Sequence, residues 1–94
     1  MPTMILPTIH LNGSSPEHML TDLMAAMDAV HTAIDTFART APHGRDYYPQ
    51  GDLAFPQARA EYEKHLKALW LVREYLTAVG THIAMAQEVR SKPR

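Results

Sequence analysis

Leu20-Thr21-Asp22-Leu23-Met24-Ala25-Ala26-Met27-Asp28-Ala29-Val30-His31-Thr32-Ala33-Ile34-Asp35-Thr36-Phe37 decides the fold. Leu20, Leu23, Met27, Val30, Ile34 and Phe37 follow one another at gaps of 3, 4, 3, 4 and 3. That spacing keeps one stripe of a helix against a partner helix. Asp22, Asp28 and Asp35 fall outside the stripe and read as a solvated face. Upstream, Ser15 as N-cap places Pro16 at the first helical position, where its missing N–H costs nothing. Ser14 with Glu17 reads alternatively as a capping box. Downstream, Arg39 suits the negative end of the helix dipole and Pro42 stops the helix. The first helix is expected over residues 15–39.

The partner helix is expected over residues 55–90, with Asp52 or the Pro56 region marking its start. It carries two apolar stripes. Tyr62, Leu66, Leu69, Val72, Leu76, Val79, Ile83 and Ala86 form the first, with one irregular step from Leu69 to Val72. Leu71, Tyr75, Ala78, His82, Met85 and Val89 form the second, at gaps of 4, 3, 4, 3 and 4. Trp70 widens the apolar surface. A helix in a two-helix hairpin needs one buried face, so a second stripe calls for a second partner. The fold class is therefore all-α: an antiparallel two-helix hairpin with a short N-terminal extended arm, assembling as a homo-oligomer through the second stripe. The alternative is a monomer whose arm folds back over that stripe.

The arm is residues 1–13. Thr8-Ile9-His10-Leu11 alternates polar and apolar, and Asn12-Gly13 signals a turn. A lone strand is not stable, so the arm must pair with another chain or lie along a helix. Residues 91–94 read as a frayed basic tail.

Bulk composition narrows the class. The chain has 94 residues, enough for a single domain and a limited core. It has no cysteine, which excludes disulfides and thiolate zinc sites and leaves self-association as the common staple. Nine basic and ten acidic residues balance, whereas duplex binders carry a positive excess. No apolar run approaches the ~20 residues of a membrane span, and the start of the chain lacks the basic region of a signal peptide. Neither duplex DNA nor a membrane is an expected partner, and the cytoplasm is the expected location.

No enzyme signature is present: there is no G-x-S-x-G, no phosphate-cradling glycine loop and no dinucleotide fingerprint. The six histidines form no H-x-x-H, H-x-x-x-H or H-E-x-x-H pair, and Glu61 with His65 is the sole pair in which a carboxylate precedes an imidazole by four residues. No metal or cofactor is expected.

The connection, residues 40–54, is longer than the ~2–8 residues usual between bundle helices and shows no obvious structure of its own. His43, Arg45, Asp46, Tyr47, Tyr48 and Gln50 gather there between Pro42 and Gly51. A guanidinium recognises phosphate with two parallel donors, and a phenol offers a flat face to a base. That inventory fits a small nucleotide-like ligand: Arg45 on phosphate, Tyr47 or Tyr48 on a base, His43 and Gln50 on polar edges. Alternatively Tyr47 and Tyr48 plug the open end of the hairpin while Arg45 and Asp46 pair with neighbours.

Thr8-Ile9-His10-Leu11-Asn12-Gly13-Ser14-Ser15 and Gly44-Arg45-Asp46-Tyr47-Tyr48-Pro49-Gln50-Gly51 resemble a family of short proteins encoded in tailed-phage and prophage genomes. The resemblance covers most of the chain, because the intervening helical spacing agrees, and it implies origin more than mechanism. In size and general architecture the chain is also similar to phage sponges that sequester nucleotide signals of the CBASS and Thoeris defences. Their ligand-binding residues do not map onto positions here, so that likeness is an analogy. The expectations are thus a non-catalytic phage protein binding a nucleotide-derived ligand or, alternatively, a module that blocks a host enzyme or a structural adaptor of the phage particle.

Overall fold

A computed structural model describes residues 4–91, Ser91 by its backbone alone. Two α-helices, α1 (Pro16–Ala38) and α2 (Ala54–Ser91), pack against each other, joined by a segment holding two short 3₁₀ turns, Gly44–Asp46 and Tyr48–Gln50. Among the described residues there is no strand. No helix is long and apolar enough to cross a membrane. The chain divides into two compact units: one joins the arm and the start of α1 to the end of α2, and the other is Val30–Arg73.

The start of α1 follows from Ser15. Its carbonyl accepts the first helical bond, from the Met19 N–H at 3.0 Å, and its Oγ faces the His18 N–H at 3.4 Å. The Ser15 hydroxyl donates to the Glu17 carboxylate at 2.8 Å. Ser15 is therefore the cap, with Pro16 at the first helical position. At the other end the helix tightens: Arg39, Thr40 and Ala41 donate backbone bonds to Thr36, Phe37 and Ala38. The Thr40 hydroxyl also donates to the Phe37 carbonyl at 2.7 Å. These bonds satisfy the last carbonyls and end α1 before Arg39.

The α1 stripe faces inward throughout. Ile34 is buried, and Leu20, Leu23, Met27, Val30 and Phe37 are half-buried. On α2 the first stripe needs one correction. Val72 is exposed, and Arg73 takes the inward position between Leu69 and Leu76. The spacing Leu66, Leu69, Arg73, Leu76 then restores gaps of 3, 4 and 3. The apparent irregularity arose because a charged residue holds a seam position. Arg73 is half-buried, and its guanidinium sits 5.5 Å from the centre of the Trp70 ring.

In the arm-bearing unit, Val79 and Ile83 are buried, Ile83 completely. The arm turns at residues 10–13, where the Gly13 N–H donates to the His10 carbonyl at 3.0 Å. It lies along α2 as one of the two expected arrangements. His82 Nε2 donates to the Pro7 carbonyl at 2.7 Å, and Gln87 donates to the Glu17 carboxylate at 2.7 Å. Three hydrogen bonds act on Glu17: one with its own backbone N–H, then one from the Ser15 hydroxyl, then one from Gln87. Together they hold its carboxyl below the ordinary value.

In the loop-bearing unit, Phe37 of α1 stacks on Tyr62 of α2, with ring centres 5.1 Å apart and planes 10° apart. The first turns of α2 meet the loop. The helix starts one residue later than an Asp52 cap would place it, because the first helical bond runs from the Gln57 N–H to the Leu53 carbonyl. Pro56 then falls within the first turn, where no N–H is required.

Candidate functional site

The loop is not structureless. Asp46 and Tyr47 donate to the His43 and Gly44 carbonyls, both at 3.0 Å, closing the first 3₁₀ turn. Gln50 and Gly51 donate to Tyr47 and Tyr48 at 2.9 and 3.1 Å, closing the second. Turns bonded at i→i+3 are too short to show a hydrophobic period, which hid them in the sequence. Gly51 ends the second turn at φ 109°, a backbone angle that L side chains rarely adopt.

The loop is pinned through one residue. Tyr47 is half-buried and packs against Phe55 of α2, with ring centres 6.3 Å apart and planes tilted 37°. Tyr48 is 75% exposed. The two adjacent phenols therefore divide the alternatives between them: Tyr47 is a plug, and Tyr48 stands out with its ring open to solvent. His43, Arg45, Asp46 and Gln50 are also exposed. Among the described residues Arg45 and Asp46 form no ion pair, with each other or with neighbours. The geometry thus brings His43, Arg45, Asp46, Tyr48 and Gln50 onto one pair of turns, as an exposed polar surface.

A concavity of about 300 Å³ lies beside this loop, lined by Ala41, Pro42, Phe55, Arg59, Tyr62 and Glu63. The six loop residues singled out from sequence are not in its lining. Phe55, Arg59, Tyr62 and Glu63 fall at gaps of 4, 3 and 1 along one face of α2. Tyr62 is legible in the sequence as part of the first stripe, whereas Phe55, Arg59 and Glu63 carry no signal that sets them apart from an ordinary helix start.

The second stripe of α2 lies mostly open. Leu71 is 53% exposed, Tyr75 51%, Met85 61% and Val89 72%, while Ala78 and His82 are half-buried. The arm meets the stripe at His82 and leaves these four side chains in solvent. The polar groups elsewhere are local. His31–Asp35 at 3.7 Å and Arg59–Glu63 at 3.1 Å are exposed pairs one helical turn apart, each worth a few tenths of a kcal/mol. Asp22, Asp28 and Asp35 are exposed. Among the described residues no three metal-ligating side chains gather.

No protein-family model matches the chain. No curated protein and no solved structure matches it either.

Proposed function

We propose that this protein is a non-catalytic binding protein that assembles with copies of itself through the second stripe of α2. It presents the His43–Gln50 turns to a small phosphorylated, nucleotide-derived ligand. One observation carries the assembly: among the described residues the buried apolar side chains are Ile34, Val79 and Ile83, while Leu71, Tyr75, Met85 and Val89 of one stripe remain exposed.

Within that assembly Arg45 holds phosphate and Tyr48 offers its exposed ring to a base. His43, Asp46 and Gln50 supply polar contacts, and Tyr47 fixes the loop on Phe55. The loop chemistry, with the analogy in size and architecture to phage nucleotide sponges, extends this reading to a sponge that sequesters a nucleotide signal in the host cytoplasm. Native mass spectrometry against cyclic dinucleotides, cyclic trinucleotides and ADP-ribose derivatives tests this reading. An oligomer that gains intact ligand mass in fixed stoichiometry, with the gain lost in Arg45→Ala and the oligomer retained, is the expected result. Binding unchanged in Arg45→Ala contradicts the site.

A second reading rests on the same exposed stripe. Tyr75 and Val89 can equally dock on a host protein and block it, and a single stoichiometric host partner co-purifying with the intact chain is its expected signature.

A further inference from the structure

We infer that the concavity beside the loop takes a planar aromatic ring carrying an anionic group, with Phe55 and Tyr62 against the ring and Arg59 on the anion. The inference deepens the ligand-binding reading above and rests on it. It moves the recognition of the ring from the exposed face of Tyr48 to the concavity beside the loop.

Both aromatic walls are fixed from behind. Tyr62 is stacked on Phe37, and Phe55 is packed by Tyr47. Neither Phe37 nor Tyr47 lines the concavity, so each acts as backing rather than wall. Rings held in place lose little freedom when a ligand ring joins the stack. A Cβ added at Gly44 would lie 3.8 Å from the Phe55 ring, so the backbone of the first 3₁₀ turn also closes on this side chain. The volume of about 300 Å³ lies at the small end for ligand sites. It suits one ring system rather than a whole dinucleotide.

The rim carries one guanidinium, Arg59, and one carboxylate, Glu63, paired with each other. Arg59 uses its Nε for the hydrogen bond to Glu63 at 3.1 Å. Among the described residues neither of its terminal Nη groups makes a hydrogen bond. Glu63 thereby orients the guanidinium while leaving the two-pronged donor edge available to phosphate or carboxylate. A ring in the concavity with its anion on Arg59 leaves Arg45 and Tyr48 to contact the remainder of a larger ligand.

The test is an NMR titration of the full-length assembly with adenosine 5′-monophosphate, and with adenosine as the uncharged control. The Arg59 Nε–H signal and the Ala41, Phe55 and Tyr62 amides should shift saturably with the nucleotide, and adenosine should bind more weakly. Arg59→Gln should weaken the nucleotide roughly tenfold or more, the scale of a lost charge-assisted contact. Glu63→Gln should leave its affinity unchanged or raise it, which separates loss of the anion contact from loss of the ion pair. Both residues are exposed, so neither variant endangers the fold. Shifts confined to residues 43–50 that vanish in Arg45→Ala and persist in Arg59→Gln overturn the pocket and leave the loop reading intact. Absence of saturable shifts at both places overturns both. Equal affinity for adenosine and its monophosphate overturns the role given to Arg59.

Discussion

The arm-bearing unit and the loop-bearing unit are closed by different chemistry. In the first, His82 holds Pro7 and Gln87 holds Glu17, polar ties between residues 75 and 70 positions apart. In the second, Phe37 stacks on Tyr62 and Tyr47 packs on Phe55, an aromatic pair and a near neighbour in sequence. Polar ties are directional, and one made by a carboxylate depends on its charge. Aromatic contacts are largely indifferent to pH, so the loop has an anchor that persists when the arm's contacts change.

The largest expected effects separate the apolar support of each unit. Ile83 is fully buried, so Ile83→Ala should cost about 2–5 kcal/mol. Phe37→Leu keeps most of the apolar bulk and removes the stack, costing about 1 kcal/mol. Urea unfolding at fixed protein concentration checks both. The loop amides should broaden in the Phe37 variant and stay sharp in a mild variant of the arm-bearing unit, such as Ile83→Val.

The next effect has the opposite sign. Gly80 lies inside α2, and a Cβ built there meets no atom within 4 Å. Gly80→Ala should stabilise the chain by about 0.5–1 kcal/mol through helix propensity and a less flexible unfolded state. A lower stability in the same urea assay would mean that the space beside Gly80 is filled in solution, as by a second copy of the chain.

The smallest effect sharpens the contrast in pH response. The Glu17 carboxyl is held below its ordinary value of 4.5 by its backbone bond, Ser15 and Gln87. A lowered folded-state value means that its contribution is present above 4.5 and fades as pH falls through the folded value. Amide exchange at the start of α1 should accelerate in that acid window, and Glu17→Gln should flatten the response. Exchange around Phe37 and Tyr62 should be unmoved by protonation of Glu17.

Much of the architecture was legible because it depends on period. The α1 stripe, the Ser15–Pro16 start and the inward residues of α2 follow from spacing and capping chemistry alone. Val72 was misplaced because an apolar residue was preferred to Arg73, whose long stem lets a charged group hold a seam position. The 3₁₀ turns and the contrasting fates of Tyr47 and Tyr48 were not legible, since side-chain direction in a short turn depends on bonds that leave no period. The Pro7–His82 bond joins groups far apart in the chain, and no local pattern marks a backbone carbonyl as the partner of one histidine. The concavity is illegible for another reason: its walls, Ala41 and Pro42 of the connection and four residues of α2, meet only in the folded chain.

Sedimentation equilibrium of the intact chain beside a Leu71→Glu/Tyr75→Glu variant tests the central claim most directly. Both side chains are exposed in the single chain, so the substitutions should leave each helix formed. The account predicts a defined oligomer for the unaltered protein and a folded monomer for the variant. A folded monomer in both, or an unchanged oligomer in the variant, would contradict assembly through the second stripe of α2.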